Sequence, residues 1–150
     1  EQVGEHYIDE ESYLTGVGEK SKKAAIERGE DVSNWNSLEV GKGFRLKNIK
    51  YLTEGPIIAM VLEGYGVIAG VRKLLGSTSP SAGDVGTIRD DYSLDAYYLA
   101  DSLSRSTRTM IHASDSVESA EREMKIWFTE DEICSNYETA AEKIFYDSPD

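Results

Sequence analysis

The chain is poor in the residues that staple, anchor or neutralise a protein. It has one cysteine, Cys134, which excludes an internal disulfide framework and any cysteine-built metal centre. Cations are scarce: 16 Lys and Arg stand against 28 Asp and Glu, for a formal net charge of -12. Nucleic acid and anionic membrane call for clustered Lys and Arg, so broad binding of either is not expected. No apolar run spans a bilayer, because the run from 56 to 62 is strand length and meets Glu63 at once. The first residues are polar and acidic, unlike a secretory signal, and cytoplasm is the default reading. With 150 residues, 39% of them hydrophobic, the chain fits one domain with a real core.

Histidine is scarce as well, with two in the chain, and one of them organises the rest. His112 follows a short apolar run ending at Ile111 and precedes a Ser/Asp-rich turn and a strong helix start. Asp115 followed by Glu118 reads as a capping-box variant, with Ser116 a competing cap and acidic residues in the first turn. His112 therefore sits at a strand-to-helix junction, held by a rigid element yet open to a ligand. Glu123, on the helix that follows, can fold back toward the imidazole. A carboxylate on one ring nitrogen fixes the tautomer and leaves a lone pair on the other for attack. The bland reading is a structural or surface histidine.

The stretch Thr109-Met110-Ile111-His112-Ala113-Ser114-Asp115 resembles the Asn-x-x-His-Gly-Ser-Asp signature of nucleoside diphosphate kinases, departing from it at two positions. Upstream, Thr53-Glu54-Gly55-Pro56 and the apolar residues after it resemble that family's Ser-Gly-Pro strand. Gly76-Ser77-Thr78-Ser79-Pro80 through Gly86-Thr87-Ile88-Arg89 resembles its phosphate-side loop. The ordered motifs extend from Tyr51 to Phe128. Glu5-His6-Tyr7 resembles the segment the family carries after its second strand, with an ordinary helix-surface histidine as the alternative for His6. That match implies that the chain, which opens at Glu1, is one nucleoside diphosphate kinase-like domain over 1–150, partial at its N-terminus. Its first strand-helix-strand segment and the Lys-Pro-Asp motif, with a phosphate-contacting lysine, would then lie before residue 1. Such a chain is expected not to be a competent kinase.

Residues 9–34 are polar and punctuated by glycine, with a helix over 19–28. Gly18-Glu19-Lys20-Ser21 is no phosphate loop, since it lacks the Gly-Lys-Ser adjacency and a preceding strand. Residues 37–52 read as helical turns interrupted by Gly41 and Gly43. The continuous apolar run 57–62 has the pattern of a central strand covered on both faces. A helix over 66–75 ends at Gly76, followed by an aperiodic loop over 77–86. Residues 90–103 read as one short Tyr-rich helix, 116–128 as a helix, and 137–146 as a final amphipathic helix.

Strands separated by helices fit a mixed α/β layer fold. The resemblance makes it a ferredoxin-like antiparallel sheet covered by helices (α+β), assembled as a homo-oligomer of four or six chains. It implies transfer of the γ-phosphate of a nucleoside triphosphate to a nucleoside diphosphate through phosphohistidine at His112, with Mg2+ carried by the nucleotide and no protein metal site. Glu123 and Ser114 would orient the imidazole. Arg72, Arg89 and Thr78 would surround the phosphates, Phe44 would stack on the base or else pack in the core, and Thr109 stands where the family has a sugar-binding asparagine. The rivals are a non-catalytic nucleotide-binding or assembly domain of the same fold, and a phosphohistidine carrier that serves a protein partner.

Overall fold

A computed structural model describes residues 1–79, 84–134, 136–137 and 144. Among these the order is α1 (Gln2–His6), α2 (Glu11–Glu27), α3 (Ser37–Leu52), α4 (Val67–Leu75), α5 (Ile88–Tyr92), α6 (Tyr97–Ser102), α7 (Val117–Trp127) and a 3-10 turn (Glu130–Glu132). The helix expected over 137–146 lies almost wholly outside the described residues.

The frame is the pair α2 and α3. Asn36 caps α3 by accepting the Glu39 N–H at 3.2 Å, and Ser37 donates to Glu19 across the pair. Two glycines let the backbones touch. A Cβ on Gly18 would lie 1.8 Å from the Ser37 carbonyl oxygen, and one on Gly41 would lie 1.9 Å from that of Leu14. Gly41 therefore does not interrupt a helix: α3 runs unbroken through Gly41 and Gly43, because close packing outweighs the roughly 1 kcal/mol that glycine costs a helix interior. The same contact draws α2 back to Glu11, eight residues before the expected start at 19. Leu14 and Ala25 are buried in this pair, each contributing apolar area at about 25 cal/mol per Å2.

Three features position the site. Gly66 caps α4 at φ 62 and Gly76 ends it at φ 82, a conformation glycine adopts without a Cβ penalty. The Tyr-rich segment is two short helices rather than one. Between them Ser93 and Asp95 are buried, and Asp95 takes both arms of Arg105 at 2.6 and 2.9 Å and the Arg108 N–H at 2.6 Å. Those bonds, Arg105 first, hold the Asp95 carboxyl well below the usual carboxylate range. At the start of α7, Ser116 is the cap, accepting the Ser119 N–H at 3.1 Å, while Asp115 accepts from the Ser119 hydroxyl at 2.7 Å.

One expectation changes. The run 57–62 is not covered on both faces: Ile58 is 89% exposed, with Met60 and Leu62 also open. No strand forms among the described residues. A strand exists only where its backbone groups pair with a neighbour, and no described segment pairs with this one. None of the helices among the described residues is long and apolar enough to cross a membrane.

Candidate functional site

The segment 107–114 carries His112 and is fastened along its length. Met110 adopts φ 63, and Ile111 donates its N–H to the Thr109 carbonyl at 2.7 Å, a tight turn two residues before the histidine. A methionine in the left-handed region persists only where its surroundings impose it. Here they do: the Met110 N–H donates to the Tyr51 hydroxyl at 3.0 Å, and Arg108 lies over the Tyr51 ring at 5.6 Å. Thr109 flanks this turn, and Tyr51 joins α3 to it.

Two arginines bracket His112 through the backbone. Arg89 donates from Nε and Nη2 to the Ile111 carbonyl at 3.3 and 2.8 Å, and from Nη1 to the Gly76 carbonyl at 3.1 Å. It is only 7% exposed, and burial followed by the nearby Arg72 charge pushes its pKa down. Arg72 reaches the Ala113 carbonyl at 3.4 Å and is otherwise exposed. The carbonyls before and after His112 are thus each held by a guanidinium.

The imidazole is addressed from α7. His112 Nε2 lies 3.3 Å from Glu123 Oε2, the Ser114 hydroxyl donates to the same oxygen at 2.6 Å, and Arg122 Nη2 sits 3.3 Å from Oε1. Burial alone would raise the Glu123 pKa. Hydrogen bonds from His112 and Ser114, with the nearby His112 and His6 charges, outweigh burial and bring it down to about 2. An ionised carboxylate only accepts, so the ring proton belongs on Nε2 and the lone pair on Nδ1. The His112 side chain is 55% exposed, open to a ligand.

α1 supplies the residue that sequence reasoning left ambiguous. His6 is not on the surface: it is 7% exposed and packs edge-to-face on His112, ring centroids 4.8 Å apart. The Trp127 indole N–H donates to His6 Nδ1 at 3.3 Å, and Arg122 Nη1 holds the Glu5 and His6 carbonyls at 3.3 Å each. Burial first, then His112, keeps the His6 pKa below its ordinary value, so it is neutral near pH 7. Tyr51, Arg122 and Trp127 are further participants not anticipated from sequence. Nothing local marks them, since each acts across a long gap in the chain.

Other expected residues stand further out. Thr78 is exposed on the loop after α4, and residues 80–83 of that loop lie outside the described residues. Phe44 is half-buried on α3, two turns before Tyr51 on the same face, with Lys47 Nζ 5.3 Å from its ring centroid. A cleft of about 570 Å3 has Arg45 and Arg122 in its wall, but Glu1, Glu5, Asp9 and Glu10 line it too and outnumber them, which makes it a poor host for polyphosphate.

A carboxylate-held histidine, its second nitrogen available and cations close by, has the parts of a nucleophilic group-transfer site. A family model described as nucleoside diphosphate kinase matches residues 19–133. The chain is 41% identical over 137 residues to a nucleoside diphosphate kinase of Pyrobaculum aerophilum, covering 89% of this chain and 75% of that protein. It is 48% identical over 101 residues to that of Methanosphaera stadtmanae, covering 67% of this chain and 59% of the relative. Its structure resembles a crystal structure of an NDP kinase from Pyrobaculum aerophilum, with a TM-score of 0.81 and 40% identity over 87% of this chain and 74% of the other. It also resembles a transition state mimic of nucleoside-diphosphate kinase from Borrelia burgdorferi with bound vanadate and ADP, at a TM-score of 0.64 and 30% identity, over 91% and 73% of the two chains.

The chain belongs to the nucleoside diphosphate kinase family. The function that goes with this membership is that of a phosphotransferase acting on nucleoside diphosphates.

Proposed function

We propose that His112 is the nucleophile that carries the phosphoryl group between nucleotides. The observation behind this reading is the Glu123 contact on Nε2, which leaves the Nδ1 lone pair for phosphorus. In the first half-reaction Nδ1 attacks the γ-phosphorus of a nucleoside triphosphate. The P–O bond to the β-phosphate breaks, and the diphosphate leaves with the electron pair. The ring retains its Nε2 proton and becomes cationic, and the Glu123 carboxylate stabilises that charge. A second nucleoside diphosphate reverses these steps with its own terminal oxygen.

Arg72 and Thr78 are exposed and suited to phosphate oxygens. Arg89, already donating to Ile111 and Gly76, serves first to fix the His112 backbone, and its buried positive charge adds to the local potential. Mg2+ is assigned to the nucleotide phosphates: a hard ion needs several oxygens, and the carboxylate beside His112 is flanked by two imidazoles. Phe44 is assigned to the base and Thr109 to the sugar. The exposed run 57–62 and the segment 107–111 are assigned to a ferredoxin-like antiparallel sheet. Homo-oligomeric assembly accords with exposed Ile58, Val85 and Leu94, and a cytoplasmic setting with the free thiol of Cys134.

The test is incubation with γ-labelled nucleoside triphosphate and Mg2+, which should give acid-labile, base-stable phosphate on His112. Label that persists at full stoichiometry in His112→Gln overturns the assignment. Tight nucleotide binding without label points to a non-catalytic binding domain instead.

A further inference from the structure

We propose that His6, His112 and Glu123 form an inhibitory site for a divalent ion of the zinc class, built on the nucleophile and exclusive of the phosphoryl group. This rests on His112 as the phosphate carrier. One ligand atom from each of the three residues lies within 4.8 Å of the other two. Two imidazoles and one carboxylate are a donor set for zinc, which takes three protein ligands and leaves a fourth position to water. Magnesium prefers six oxygens, so the ion that accompanies the nucleotide does not compete well here.

The spacing is close to what zinc requires. Bonds of about 2.0–2.1 Å in a tetrahedron put neighbouring ligand atoms roughly 3.3 Å apart, and His112 Nε2 already lies 3.3 Å from Glu123 Oε2. The widest gap in the trio closes with a shift of roughly 1.5 Å at most. Arg122 occupies the other carboxylate oxygen, and Oε2, which keeps the Ser114 hydroxyl at 2.6 Å, has a second lone pair for the metal once the His112 proton has moved away.

Proton placement makes the two states exclusive. Without metal the ring proton of His112 lies on Nε2, facing Glu123, and Nδ1 holds the lone pair. A metal on Nε2 takes that nitrogen's lone pair, and the single ring proton moves through water to Nδ1. Nδ1 then has no electron pair for phosphorus. In the phosphorylated ring the proton stays on Nε2, where it excludes the metal. No group is oxidised or reduced. His6 undergoes the same transfer: its Nδ1 accepts from Trp127, so its proton is on Nε2, and a metal at Nε2 sends that proton to Nδ1, facing the indole N–H. The two must part, which makes Trp127 a reporter.

The experiment is a zinc titration of the full chain in a Trp35→Phe background, followed by calorimetry, Trp127 fluorescence and X-ray absorption at the zinc edge. The expected result is one zinc per chain with two imidazole ligands, which can only be His6 and His112 because the chain has two histidines. A change in Trp127 emission should accompany it, and millimolar Mg2+ should produce none. His6→Gln should weaken zinc at least about tenfold, and protein phosphorylated beforehand should not bind it. A sulfur ligand from Cys134, a single imidazole, unchanged affinity in His6→Gln, or equal binding by the phosphorylated chain would overturn the site. If no phosphohistidine forms in chelated buffer, the catalytic reading fails. The binding claim is then decided by the absorption spectrum alone.

Discussion

Replacing Glu123 by glutamine keeps the shape of the side chain and removes its charge, which tests the centre of the mechanism. The carboxylate is 12% exposed and receives the His112 ring, the Ser114 hydroxyl and Arg122 at 3.3, 2.6 and 3.3 Å. As phosphate reaches Nδ1 the ring becomes cationic, and its bond to a carboxylate becomes charge-assisted, about 1.5–3 kcal/mol that a neutral amide does not supply. Each 1.36 kcal/mol is tenfold, so phosphorylation of His112 should slow roughly 10- to 150-fold. Nucleotide affinity should change little, because Glu123 holds the ring rather than the ligand. Rapid-quench measurement of the first half-reaction, with nucleotide affinity measured separately, reads both quantities. A rate within about threefold of the parent would refute the argument.

The same substitution has a consequence in acid. Glu123 titrates at about 2 in the folded chain, below its unfolded value, so its contribution is fully present above about pH 4.5 and disappears as pH falls toward 2. The shift corresponds to about 3 kcal/mol. Urea midpoints measured from pH 5 to pH 2 should fall more steeply for the parent than for Glu123→Gln, and parallel curves would contradict the shift.

Asp95→Asn removes the charge that joins Arg105 to the Arg108 backbone and should cost about 1–3 kcal/mol in urea unfolding, the scale for weakening charge-assisted hydrogen bonds at a part-buried pair. Gly41→Ala puts a methyl 1.9 Å from the Leu14 carbonyl and should destabilise by about 1–3 kcal/mol, while Gly43→Ala, with open space around it, should be neutral or slightly stabilising. Arg89→Lys forfeits most of the three backbone bonds around Ile111 and Gly76 and should lower both stability and phosphorylation rate. Arg72→Lys should leave the urea midpoint unchanged and weaken nucleotide binding; equal midpoints for the two variants would remove the distinction between clamp and phosphate ligand. Purine and pyrimidine diphosphates should compete within about a hundredfold of one another, since Phe44 offers a stacking face rather than a hydrogen-bond reader, and a larger preference would reveal one.

What the sequence by itself determined is local. The Ser/Asp turn after His112 carries its own helix start at Ser116, Gly76 stops α4, and Glu123 lies on the helix face that returns to the imidazole. The family motifs between Tyr51 and Phe128 belong to the same level: residue types at short spacing, each with a chemical reason legible within a turn or two of chain. Sequence also marked 57–62 as apolar enough for a central strand. Tertiary structure decided the rest. His6 meets Trp127 across 121 positions of chain, Tyr51 supports Met110 across 59, and Arg89 reaches Ile111 across 22. Gly41 looked like a break because helix propensity counts only neighbours, whereas its use is to admit the Leu14 backbone from another helix. The run 57–62 remained unpaired among the described residues for the complementary reason. An apolar pattern states what a segment can bury, but backbone hydrogen bonds across a sheet require a partner strand, and that is a property of the assembled fold.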